Sequence, residues 1–143
     1  MQDNVAYPWT DDLQEHSIEA STCDYNLDSP YWFIHKGYIY NIRRNNFNVW
    51  LGYVYIPQGH PCFDKFCEDI DVQIHGGLTY SGLTKLNGID YYIVGFDCAH
   101  YGDIIPEHDY IFEGSTYKDY NFVKQETIQL AEQLWSKANE YIH

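Results

Sequence analysis

Two short segments and one loop carry the residue types able to do chemistry. The first is Asp71-Val72-Gln73-Ile74-His75-Gly76-Gly77-Leu78-Thr79-Tyr80-Ser81-Gly82, a histidine ending an apolar alternation ahead of two glycines. Adjacent glycines let backbone approach a ligand closely and present N–H groups to it. The same pair also suits a β-bulge or tight turn that His75 pins by a hydrogen bond. The second segment, Gly95-Phe96-Asp97-Cys98-Ala99-His100-Tyr101-Gly102-Asp103, ends an apolar run in Asp, Cys and His. Soft and borderline donors packed at a strand end are the set that zinc or a similar divalent metal takes. Cys98 and His100 also have the types of a thiolate–imidazole pair, though an i, i+2 spacing does not by itself bring them together. In the structural alternative, Asp97 and Asp103 cap loop backbone while Cys98 fills core as a small hydrophobe. The loop Pro57-Gln58-Gly59-His60-Pro61 adds a third histidine.

Core strands more commonly end in plain turns, so these ionisable endings are expected to converge on one edge of a sheet. The ligand-binding candidates are His60, His75, Gly76, Gly77, Asp97, His100 and Asp103. His60, His75, Cys98 and His100 are candidate ligands for zinc or another divalent metal. For catalysis the candidates are His75, His100 and Asp97. Cys62 and Cys67 stand at a C-x4-C spacing that zinc sites use, but no second pair follows.

The elements that must position these residues follow from periodicity. The stretch to residue 30 is acidic and polar, with a short helix expected over 11–20 and a turn at Asp28-Ser29-Pro30. Strands are expected at 31–34 and 38–42 around a Lys36-Gly37 turn, with a second turn over 43–46. Residues 47–56 are apolar on both parities, as in a central strand covered on both faces. After a loop or single helical turn over 58–69, strands are expected at 70–75 and 78–81. Asn87-Gly88 then turns the chain into a strand at 89–96 that is again apolar on both faces and therefore interior. Residues 97–116 form a long irregular segment, a length that points to function. A helix is expected from 117 to 141, burying Tyr120, Val123, Thr127, Leu130, Leu134 and Tyr141, with Ile128, Trp135 and Ile142 on an adjoining stripe. The expected fold is α+β, an antiparallel sheet of about five or six strands with a long C-terminal helix packed on one face. It is one domain over 1–143, comprising an acidic extension (1–30), sheet and loops (31–116) and the helix (117–141).

Composition narrows the function. The chain has 143 residues, 45% apolar and 18% aromatic, which suits one domain with a real core and rules out a disordered reading. Eight Lys+Arg against 21 Asp+Glu give a formal charge of −13. Only residues 31–60 are basic, through Lys36, Arg43 and Arg44. No footprint for nucleic acid or an anionic membrane surface is present, whereas a basic protein, a cation or a small ligand in a tuned pocket fits. No apolar run reaches the ~18 residues of a membrane span, and the first residues lack the pattern of a signal peptide. The cysteines are expected to be reduced thiols of a cytoplasmic protein. Tyr38, Tyr40, Trp50, Tyr53, Tyr55, Tyr80, Tyr91, Tyr92 and Tyr101 are candidate stacking platforms for a base, or ordinary strand aromatics.

The series GYVYIPQGHP, DVQIHGGLTYSG, YYIVGFDCAHYGD and YKDYNFVKQETIQLAEQL resembles a small family spread among bacteriophages and prophages. Its pattern is G-Y-V-x-(I/V)-P-x-G-H-P, then H-G-G-(L/I)-T, then G-F-D-C-A-H-x-G-D, and the likeness covers residues 51–135. The family transfers no catalytic role. It implies a phage context, the cytoplasm of a host bacterium, and motif positions at His60, His75, Gly76, Gly77, Asp97, Cys98, His100 and Asp103. Small phage proteins outside replication and structure often act against host defence. The leading expectation is a counter-defence protein that binds and sequesters a small nucleotide-like immune signal. A metal- or histidine-dependent hydrolase of a nucleotide or phosphoester is the first alternative, and an acidic inhibitor of a host defence protein the second. A homo-oligomer or a basic host partner fits either. Sequestration leads because no complete hydrolase signature is present.

Overall fold

The computed structural model describes residues 7–16, 31–45, 47–108, 111 and 113–140. They form a short helix α1 (Thr10–Glu15), strands β1 (Trp32–His35), β2 (Tyr38–Arg44), β3 (Trp50–Pro57), β4 (Tyr80–Leu86) and β5 (Ile89–Asp97), and a long helix α2 (Tyr120–Glu140). The strands make one antiparallel sheet in the order β1-β2-β3-β5-β4. The expected α+β architecture is therefore the observed one, at five strands. The two runs apolar on both parities are interior: β3 is central, and β5 lies between β3 and β4.

One face of the sheet presents Tyr40, Ile42, Val54, Ile56, Val94 and Phe96 to α2, which returns Val123, Leu130, Ala131 and Leu134. Helix and sheet meet closely at Gly52, where a Cβ would stand 2.1 Å from Thr127 Oγ1 and 2.7 Å from the Phe96 ring. Thr127 is wholly buried there, its hydroxyl donating to the Val123 carbonyl at 2.7 Å. Tyr55, Leu86 and Ile93 form a second cluster on the other face. The turns at Lys36-Gly37 (50° and 83°) and Asn87-Gly88 (50° and 79°) carry positive φ at both positions.

Several expectations are corrected. Residues 70–75 are not a strand. They run along α2 and take their backbone partners from its side chains: Gln133 receives the Gln73 N–H and donates to the Gln73 carbonyl, and Glu126 receives the His75 N–H. Alternating Ile70, Val72 and Ile74 pack on the core, giving a strand-like pattern without a strand partner. The next strand starts at Tyr80 and runs to Leu86. β2 continues through Arg44, so the second turn falls at 45–48, closed by the Asn48 N–H on the Asn45 carbonyl at 3.0 Å, and Phe47 is exposed. Trp135 is 39% exposed, with the Lys36 ammonium 4.0 Å from its ring centre. Asp28-Ser29-Pro30, Cys23, Tyr141 and Ile142 lie outside the described residues. No helix among the described residues is long and apolar enough to cross a membrane.

Candidate functional site

The ionisable residues sort to two ends of the molecule. Strand β3 runs antiparallel to β5 with Leu51 opposite Asp97 and Pro57 opposite Tyr91. The loop after β3 therefore emerges about 20 Å from the end of β5, at the usual rise per strand residue. Along α2 the split recurs, His75 lying against Phe122 and Glu126, and His60 against Leu134. His60 thus does not join His75 and His100. Both of its ring nitrogens are occupied by backbone, Nδ1 accepting the Cys62 N–H at 2.9 Å and Nε2 donating to the Leu134 carbonyl at 2.8 Å. Burial, followed by the nearby Lys137 charge, lowers its pKa against the opposing pull of the Leu134 bond. This histidine staples a loop to the helix.

At the other end, Ile74 to Gly77 make a tight turn closed by the Gly77 N–H on the Ile74 carbonyl at 2.9 Å. Gly76 sits at φ +68°, and a Cβ on it would stand 2.2 Å from the His100 ring. Its glycine is required twice over, by backbone conformation and by the imidazole lying on its α-carbon. Gly77 spends its N–H inside the turn, so that group is not offered to a ligand.

Asp103 organises the cluster. Its carboxylate, 1% exposed, accepts from His75 Nε2 at 2.9 and 3.0 Å, from the His100 N–H at 3.0 Å and from Lys118 Nζ at 3.1 Å. Burial pushes the Asp103 pKa up, but His75, the His100 N–H and Lys118 together push it further down, leaving it below the ordinary value. A side chain so enclosed cannot line a ligand pocket, which corrects its place among the ligand-binding candidates. It holds the His75 ring and the His100 backbone in place. The chain around it is fixed by a parallel bridge to Thr116 and by the turn from His100.

His75 and His100 face each other, ring centres 5.7 Å apart at 70°, with Phe122 edge-on to His75 at 5.2 Å. Each has its own carboxylate: Asp103 for His75, and Asp97 for His100, whose Nε2 lies 3.2 Å from Asp97 Oδ1. That His100 nitrogen is buried and makes no aligned hydrogen bond among the described residues. Asp97 also accepts the Ala99 N–H at 3.1 Å and the Thr79 hydroxyl at 3.3 Å. The imidazoles and Asp97 keep between a fifth and a third of their side-chain surface in solvent. Together they form a partly exposed face of two imidazoles and one carboxylate.

Cys98 points into the core, 2% exposed, and burial first, then Asp103 and Asp97, raise its thiol far above the ordinary range. It is protonated and inert, as in the structural alternative. Among the described residues no three His, Cys, Asp or Glu side chains gather to hold a metal ion, so His60, His75, Cys98 and His100 do not form the centre their types suggested. Of the aromatic platforms, Tyr38, Tyr40, Trp50, Tyr55 and Tyr92 are core, while Tyr80 and Tyr101 stand at 45% and 94% exposure.

In the acidic N-terminal stretch Asp12 has a structural role. Asp12 accepts the Trp50 indole N–H at 2.8 Å, the Tyr117 hydroxyl at 2.5 Å and the Tyr120 N–H at 3.2 Å, capping α2 from a distant part of the chain. Asp119 accepts the Phe122 N–H at 2.8 Å as the local cap. Between α1 and the start of α2 lies a cleft of about 530 Å³, lined by Asp11, Asp12, Glu15, His16 and Asp119 among others. Nothing in the sequence pattern signalled it, because it depends on pairing residues about a hundred positions apart. Comparison with protein-family models, curated proteins and solved structures finds no match.

Proposed function

We propose that this protein binds a small, nucleotide-like ligand at the face formed by His75, the Gly76 turn, Asp97 and His100, and retains it without turning it over. The observation that carries the reading is the facing pair of imidazoles, His75 bonded to the buried Asp103 and His100 lying beside Asp97, seated on a glycine that admits no side chain. Such preorganisation favours binding because little side-chain freedom is left to lose. The likeness to a phage and prophage family supports a counter-defence setting, with a host nucleotide signal as the ligand.

Hydrolysis of a phosphoester is the second reading, favoured by the His75–Asp103 pair, which has the arrangement of an oriented general base. Against it stands the engagement of Lys118 by the buried Asp103, which leaves no free cation beside the imidazoles among the described residues to stabilise developing phosphoryl charge.

The test is retention and release. Protein is incubated with AMP, ADP-ribose or a cyclic dinucleotide, freed of unbound ligand, and heated to unfold it. Intact nucleotide in the supernatant supports sequestration, and product supports hydrolysis. His100→Ala is expected to lose retention at least tenfold with a melting temperature close to wild type. Wild-type retention by both His75→Ala and His100→Ala would move the pocket elsewhere, and unfolding of both would make them structural histidines.

A further inference from the structure

We infer that His75 meets its ligand as a hydrogen-bond acceptor through Nδ1, that Asp103 is the positioning residue that makes it so, and that the ligand group placed there is therefore an O–H or N–H donor and not a phosphate oxygen. The inference rests on the binding reading above. Its starting point is proton bookkeeping around one buried carboxylate.

An ionised carboxylate only accepts. Asp103 receives His75 Nε2 on both oxygens, the His100 N–H on one and Lys118 on the other. Every group facing it is a donor, so in neutral His75 the proton stands on Nε2 and Nδ1 carries the lone pair. Lys118 is itself tethered to the Thr116 carbonyl at 3.4 Å and to the Thr116 hydroxyl. The charged groups around the imidazole are Asp103 from the loop after β5, Lys118 from the segment ahead of α2, and Glu126 from α2, with Asp97 behind His100. Glu126 takes the His75 backbone N–H and so fixes the main chain, leaving the ring to Asp103.

Among the described residues the ring's hydrogen bonds run through Nε2, to Asp103, and the His75 side chain keeps 22% of its surface exposed. The neighbouring exposed partner, Asp97, is also an acceptor. Two acceptors side by side in a chain of charge −13 repel a phosphate and attract ribose hydroxyls or an exocyclic amine.

The experiment reads the tautomer in the free, full-length chain. Two-bond proton–nitrogen correlation spectra of labelled protein at about pH 8.5 should show His75 carrying its proton on Nε2. Asp103→Asn, which turns one of the two acceptor oxygens beside Nε2 into a donor, should raise the share of the Nδ1–H form relative to wild type. A wild-type His75 protonated on Nδ1 overturns the inference, whether or not the variant folds. In the ligand arm, AMP is compared with IMP, which lacks the exocyclic amine, and with AMP blocked at both ribose hydroxyls. One of the two changes should weaken binding about tenfold or more, as for a buried polar group losing its partner. Equal binding of all three overturns the acceptor role. Failure of wild-type protein to retain AMP counts against that nucleotide as the ligand, and the tautomer still decides this inference.

Discussion

Replacing His60 by Leu should destabilise the protein by about 2–4 kcal/mol at pH 7.5, as the loss of one well-formed hydrogen bond plus an orphaned buried N–H adds up. The ring is 8% exposed, so its partners have no water to turn to. Leu keeps much of the volume but leaves the Cys62 N–H without the Nδ1 acceptor it meets at 2.9 Å. It also removes the Nε2 donor from the Leu134 carbonyl, a milder loss because that oxygen sits within a helix. On a chain of this size the midpoint should fall by roughly 5–15 °C. Asn and Gln divide the effect. The Asn oxygen reaches about where Nδ1 stood and should preserve the Cys62 bond, whereas the Gln amide reaches toward Nε2 and should preserve the Leu134 bond. His60→Asn is therefore expected to be the more stable of the two variants. The pH dependence fixes the sign independently. Burial holds folded His60 below the ordinary pKa, so the unfolded chain takes up a proton first as pH falls through about 6.5. The stability it contributes is full above that pH and declines below it until the folded imidazole also titrates. The gap between wild type and His60→Leu in urea unfolding should accordingly narrow from pH 7.5 to 5. Carboxylates titrate in both proteins and cancel in the difference. A gap that widens on acidification, or a penalty under about 0.5 kcal/mol, would refute the staple.

Two further substitutions probe the frame of the site. Gly76→Ala must adopt φ +68° and displace the His100 ring from 2.2 Å, so ligand retention should drop at least tenfold, with about 1–2 kcal/mol lost from stability; retention and urea unfolding of the same preparation separate the two effects. Val94→Asp places an unpaired charge at a wholly buried position of β5 and should cost roughly 3 kcal/mol or more, read as a lowered midpoint in urea unfolding followed by circular dichroism.

The sheet was legible because its interior strands are apolar on both parities and its hairpins carry Lys-Gly and Asn-Gly at their turns. The helix was legible from Tyr120, Val123, Thr127, Leu130 and Leu134, all buried as their spacing requires. Residues 70–75 misled because apolar alternation records which side chains face a core and says nothing of what the backbone bonds to; here that is Gln133 and Glu126. Of the candidate site, His75, Gly76, Asp97 and His100 were legible as strand or turn endings, and the structure brings them together. His60 was misplaced because chain endings do not reveal register, and antiparallel pairing sends the ends of β3 and β5 opposite ways. Loop capping by Asp97 and Asp103 was legible, and they take the Ala99 and His100 N–H groups. The grip of Asp103 on His75 and Lys118 and the role of Asp12 escaped, because those partners are far off in sequence.

Asp103 draws its donors from the turn before β4, from its own loop and from the segment leading into α2. Those pieces are made at different times. The β1–β2–β3 meander pairs neighbours and can form while the rest is still being translated, but the His75 ring gains its anchor only after Asp103, and its backbone and edge contacts only after Phe122 and Glu126. At about 5–20 residues per second, seconds separate the emergence of His75 from that of its last supports. A nascent chain, or one whose C-terminal helix has been clipped off by a protease, holds both imidazoles without their supports. Truncation ahead of Tyr120 is thus expected to silence the molecule while leaving every residue of the imidazole pair intact.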